Sequence, residues 1–140
     1  MNATPDPQRI AELAAEMEAH GTARDAPVRA VMALLGDRWT TLILLVLEAG
    51  EWRHAELKRV LGRLSSERTI SQRVLTLKLR TLERDGFVAR SVSADVPPKV
   101  SYRLTTMGMG LCAEARRLIS WVNQREAEIA KARQSFDSSD

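Results

Sequence analysis

Hydrophobic positions recur at helical spacing through most of this chain, broken by one short stretch of strand-like alternation. Ile10, Leu13, Ala14 and Met17 mark a first helix, opened by Asp6-Pro7 and closed at His20-Gly21. Val28, Val31, Met32 and Leu35 mark a second from about Pro27, which Gly36-Asp37 interrupts. The segment from Arg38 to Glu48 is strongly apolar and reads as the buried centre of the fold. After a turn at Ala49-Gly50-Glu51, Trp52-Arg53 fits a short strand. A helix over 54–61 turns Leu57, Val60 and Leu61 inward, and a polar connection, GRLSSERT, fills 62–69. Leu75, Leu79 and Leu82, at i, i+4 and i+7, then set the buried stripe of a helix over 70–85. Thr69 or Ser71 caps that helix, and Asp85-Gly86 ends it. Alternation over Phe87–Val92 and Val100–Leu104 predicts two paired strands around a stiff Asp95-Val96-Pro97-Pro98-Lys99 turn. A last helix opens at Thr105 or Thr106 and carries Met109, Leu111, Ala115, Leu118, Ile119 and Val122 to about Arg133.

The order helix, loop, helix, hairpin predicts a mainly α fold with a small β-hairpin wing, a winged helix-turn-helix domain over 26–106. An extension helix over 1–25, a C-terminal helix over 107–133 and a disordered tail over 134–140 complete the chain. At 140 residues the chain can bury a core without help from disulfides or metal. Cys112 is the single cysteine, which excludes an internal disulfide, and His20 and His54 are too far apart to suggest a metal site. No metal or cofactor is expected. The longest apolar run, Leu42 to Leu47, falls far short of the roughly 18 residues of a membrane span. No basic segment followed by an apolar core opens the chain, so a cytoplasmic protein with no membrane partner is expected. No nucleophile-base constellation, phosphate loop or carboxylate pair supports catalysis, so the protein is not expected to be an enzyme.

Charge sharpens this picture. Residues 53–103 hold 12 Lys+Arg against 5 Asp+Glu, whereas 1–52 hold 4 against 8, and the whole chain nets +3. Positive charge gathered on one module is what a reader of duplex DNA needs. Stepping 100° per residue from Leu75 puts Arg73, Thr76, Leu77, Arg80 and Arg84 on the far side of the 70–85 helix. Arginine can fork onto guanine, and threonine and leucine methyls can touch thymine. Ser71 and Gln72 stand at the helix N-terminus, the end that reaches base edges. A solvated helix face is the competing reading, and Leu77 could instead pack under the 62–69 loop. Lys58, Arg59, Arg84, Arg90, Lys99 and Arg103 are the candidate phosphate contacts, the last three on the wing.

Residues 26–105 resemble the HxlR-type winged-helix regulators, related in architecture to MarR proteins. The resemblance rests on APVRAVMALLGDRWTTLIL (26–44), HAEL (54–57), ISQRVLTLKLRTLERDGFVAR (70–90) and DVPPKVSYRLT (95–105). It implies a homodimer, joined through its N- and C-terminal helices, that regulates transcription, often in response to electrophiles, quinones or oxidants. Ile10, Leu13, Met17, Leu111, Leu118, Trp121 and Val122 are then the expected dimer contacts. The chain departs from the family pattern in three places. Ala26 replaces the cysteine of a Cys-Pro-Val motif, so that position cannot sense through a thiol. The 62–69 loop is longer than usual, and His54 replaces the customary aromatic.

The expected function is a sequence-specific regulator, a repressor, bound as a homodimer to a pseudo-palindromic operator. A small aromatic or planar effector between the N-terminal, 38–48 and C-terminal helices would modulate it. The alternative is a protein-interaction module, favoured if Ser65, Ser66 and Glu67 obstruct the groove. His54 is read as a packing residue with one satisfied nitrogen, Cys112 as a small apolar residue in the dimer seam, and Trp39 as core. Trp121 is a dimer anchor or a wall of the effector pocket, while Met32, Met107 and Met109 fill core or line a cavity.

Overall fold

A proline starts each of the first two helices, and a capping carboxylate precedes the first of them. The computed structural model describes residues 4–65 and 69–139, and the chain divides into two units, 1–38 and 39–140. In the first, α1 (Pro7–His20) opens where the Asp6 carboxylate accepts the Gln8 N–H at 3.0 Å. The second helix, α2 (Pro27–Leu35), also starts on a proline. Neither helix contains a buried residue, and Ile10, Leu13, Met17, Val28 and Met32 all stand exposed.

The helix α3 (Arg38–Leu47) leads into the second unit and contributes Thr40, Ile43, Leu44, Val46 and Leu47 to its core. There follow β1 (Trp52–Arg53), α4 (His54–Leu64), α5 (Gln72–Arg84), β2 (Val88–Val92), β3 (Val100–Leu104), α6 (Thr106–Asn123) and α7 (Glu126–Ser139). Leu57 and Leu61 of α4 and Leu75, Leu79 and Leu82 of α5 are fully buried with Ile43, Leu44 and Leu47. Each such side chain is worth about 1.5–3 kcal/mol when removed from water. The sheet is antiparallel in the order β1-β3-β2. Its register puts Val88, Arg90, Tyr102 and Leu104 on one face and Ala89, Ser101, Arg103 and Arg53 on the other.

Three boundaries differ from expectation. The fourth helix continues to Leu64, past Gly62, because a glycine inside a helix lowers stability without forcing a stop. Residues 66–68, including the Ser66 and Glu67 on which the alternative reading leaned, lie outside the described residues. The C-terminal helix is two helices, parted at Gln124-Arg125, and 134–139, expected to be a disordered tail, are the last turns of α7. The boundary between units falls after Arg38, inside the segment that the sequence reads as one domain.

Candidate nucleic-acid interface

Both ends of α5 are fixed by local chemistry. Ser71 Oγ accepts the Val74 N–H at 3.1 Å, and Ile70 and Leu75, at the two staple positions, are buried. At the other end the Phe87 N–H reaches the Leu82 carbonyl and the Gly86 N–H the Glu83 carbonyl, with Gly86 at φ 85°. That is a Schellman cap, whose left-handed residue favours glycine. The strand β2 follows at once, so the wing leaves the helix in a fixed direction.

With its leucine stripe buried, α5 presents the remaining side to solvent. Gln72, Arg73, Thr76, Leu77 and Arg80 border one shallow cleft of about 530 Å³. Thr76 and Arg80 also border a second, of about 540 Å³, completed by Glu83, Arg84, Arg90 and Tyr102. Five of the six expected base-reading residues therefore surround one concavity, and the sixth, Ser71, caps the helix beside it. Leu77 is 54% exposed on this face. Among the described residues, the side chains of Arg73, Arg80, Arg84 and Arg90 enter no ion pair. Cations left without partners on one face raise the local positive potential.

The other expected phosphate contacts are dispersed. Arg59 is exposed on α4, and Lys58 is half-buried one turn beyond His54. Arg90 faces the α5 side with Tyr102, whereas Arg103 lies on the opposite face of the sheet, 4.0 Å from Glu51. Lys99 borders a third cleft, of about 350 Å³, with Glu51, Arg53, Glu56 and Asp95. Alternation already separates Arg103 from Tyr102, but the strand pairing is needed to put Arg90 on the Tyr102 side.

Two features were not legible in the sequence. Tyr102 and Glu83 join the second cleft. His54, half-buried, places Nε2 3.0 Å from Thr76 Oγ1. Burial, helped by the charge of Lys58, lowers its pKa, which keeps the ring neutral at neutral pH. The reading of His54 as a packing residue with one satisfied nitrogen agrees with this geometry.

Cys112 requires a correction. It is fully buried inside the second unit, its thiol 3.6 Å from the Leu44 carbonyl, and so is not in a seam between copies. Burial, with Glu48 nearby, pushes its pKa up to about 11. Met32, Met107 and Met109 are exposed and fill no core in the chain alone. Trp39 is half-buried, and Trp121, half exposed, carries the Arg125 guanidinium 4.1 Å from its ring centroid. Among the described residues no cluster of His, Cys, Asp or Glu could hold a metal ion.

Comparison with known proteins points the same way. Residues 34–129 match the HxlR-like helix-turn-helix family. The chain is 32% identical over 111 residues to the HTH-type transcriptional regulator YtfH of Escherichia coli, covering 79% of this chain and 83% of that one. Its fold is similar to that of the transcriptional regulator YtfH of Salmonella typhimurium, with a TM-score of 0.65 at 31% identity over 80% of this chain and 95% of the other. It is also similar to the redox regulator HypR in its reduced form, with a TM-score of 0.64 at 32% identity over 75% and 98%.

Proposed function

This chain belongs to the HxlR-like helix-turn-helix family of DNA-binding transcriptional regulators, and from that premise we propose that it is a sequence-specific repressor acting as a homodimer on a pseudo-palindromic operator. The observation that carries the reading is the face of α5, where Arg73, Thr76, Leu77 and Arg80 meet around one cleft with both arginines free of ion pairs among the described residues. Two copies of that helix would enter major grooves about 34 Å apart, or a multiple of it. Arg73 and Arg80 suit guanine, Leu77 and Thr76 suit thymine methyls, and Ser71 and Gln72 serve the N-terminal edge. Lys58, Arg59, Arg84, Arg90, Lys99 and Arg103 hold phosphates, with Arg103 reaching one only by leaving Glu51. Ile10, Leu13 and Met17 of α1 with Leu111, Leu118, Trp121 and Val122 of α6 join the two copies. A dimer lying across a promoter excludes polymerase, hence repression.

Control in this reading comes from a small planar or aromatic ligand rather than a thiol. Ala26 stands where the family motif has cysteine. Cys112, the one thiol present, is buried and protonated at neutral pH, and a protonated thiol is a poor nucleophile.

Fluorescence anisotropy of the protein with DNA from upstream of its own gene, against a scrambled duplex at two salt concentrations, tests the reading. Tight binding that prefers the upstream DNA and weakens steeply with salt is expected. Weak, equal binding to both duplexes would count against an operator there.

A further inference from the structure

His54 and Thr76 are 22 residues apart in the chain, yet the imidazole Nε2 lies 3.0 Å from the threonine hydroxyl. The same hydroxyl donates to the Gln72 carbonyl at 2.8 Å. Its only proton is thereby used, so Nε2 must carry a hydrogen and donate while Thr76 Oγ1 accepts. The imidazole also lies tilted against Tyr102, with ring centroids 6.3 Å apart, and Tyr102 is buried in the central strand. The first residue of α4, the middle of α5 and the middle of β3 therefore meet at one ring. Thr76, at that junction, borders both clefts of the candidate interface.

A hydroxyl held twice has consequences for base reading. A free threonine hydroxyl both donates and accepts, so it pairs with several base edges and discriminates poorly. The Gln72 carbonyl takes the Thr76 proton, and the His54 Nε2–H, occupying a lone pair, fixes the direction of that hydroxyl, so the side chain brings to the groove chiefly its methyl group. In the major groove only thymine offers a methyl to meet it. We propose that His54 is a positioning residue for sequence reading, which by holding the Thr76 hydroxyl makes Thr76 a methyl contact selective for thymine in each half-site. This rests on the DNA-reading role of α5 proposed above.

The test uses the full-length chain with three substitutions. His54→Phe keeps a ring beside Tyr102 but deletes the Nε2–H. His54→Gln puts an amide N–H in reach of Thr76. Thr76→Val keeps a methyl without a hydroxyl to hold. Each protein is incubated with a randomised duplex library, the bound fraction is sequenced, and affinities are measured on the selected site with each thymine replaced in turn by deoxyuridine, which removes only the methyl. The wild type should select a site containing a thymine whose methyl is worth about 3- to 10-fold in affinity. His54→Phe should lose most of that preference while keeping the rest of the site, and His54→Gln and Thr76→Val should retain it. A His54→Phe site identical to that of the wild type overturns the proposal, and so does a His54→Gln protein that behaves like His54→Phe. If His54→Phe does not fold, loss of the thymine preference in Thr76→Val overturns it instead. A wild-type protein that enriches no site at all would sink the DNA-reading role itself, and this inference with it.

Discussion

Arg80 is the side chain best placed to separate base reading from phosphate binding. It borders both clefts, it enters no ion pair among the described residues, and it lies one turn beyond Thr76 on the same face. Arg103 is its natural control, because it is exposed on the other face of the sheet and already paired to Glu51. Arg80→Ala should weaken operator binding by about 1–3 kcal/mol and relax selectivity at one position. Arg103→Ala should cost much less, and about equally on any duplex, since an exposed pair is worth little. Anisotropy titrations of both variants on operator and random DNA decide the point. An Arg80→Ala loss of the same size on both duplexes would make Arg80 a phosphate contact.

At the scale of elements, the junction of α5, the wing and α6 is the most constrained part of the second unit. Thr105 Oγ1 accepts the Gly108 N–H at 3.0 Å and donates to the Gly86 carbonyl at 2.6 Å, while the Thr105 N–H reaches the Phe87 carbonyl. The start of α6 is thus tied to the cap that ends α5. A Cβ on Gly108 would run into the Phe87 carbonyl oxygen, whereas Gly110, in the same helix, faces open space. Gly108→Ala should therefore destabilise by about 1–3 kcal/mol or more through overpacking. Gly110→Ala should stabilise by up to about 1 kcal/mol through helix propensity. Urea unfolding of the two variants beside the wild type measures the difference, and equal stabilities would contradict the close approach of α6 to Phe87. The end of α5 was legible because the leucine stripe and Asp85-Gly86 agreed there, whereas its start, expected at 70 with Thr69 or Ser71 as the cap, lies at Gln72 because Ser71 takes the cap. Where one signal acted alone, it misled. Gly62 looked like a stop, but α4 runs through it, and nothing in the periodicity marks the break at Gln124-Arg125. There the chain is held instead by Arg125, whose guanidinium donates to the Trp121 carbonyl and stacks on its ring. The members of the cleft on α5 itself were legible from its periodicity. The contacts of His54 and Tyr102 were not, because they depend on pairings between distant segments.

At the scale of the whole molecule, the question is what covers its apolar helices. Ile10, Leu13 and Met17 on α1, and Leu118, Trp121 and Val122 on α6, are each 40% exposed or more. A chain that left so much apolar side chain in water would forgo about 25 cal/mol for every Å² it could bury. Soluble monomers seldom tolerate such patches over large areas. A second copy offers the same surfaces, so a two-fold assembly can bury them and also present α5 twice, as a two-fold operator requires. Sedimentation equilibrium should accordingly find a dimer at micromolar concentration. Leu118→Arg should shift the population to monomer without unfolding it, since Leu118 lies outside the buried core. Operator affinity in that variant should fall by about 100-fold or more, because the second half-site would no longer be held at high effective concentration. Affinity for an isolated half-site should stay within a few-fold of the wild type, because α5 is untouched. Equal losses on full and half operators would mean that Leu118→Arg damaged the reading head rather than the pairing of two heads. A wild-type monomer would require a different partner for these helices.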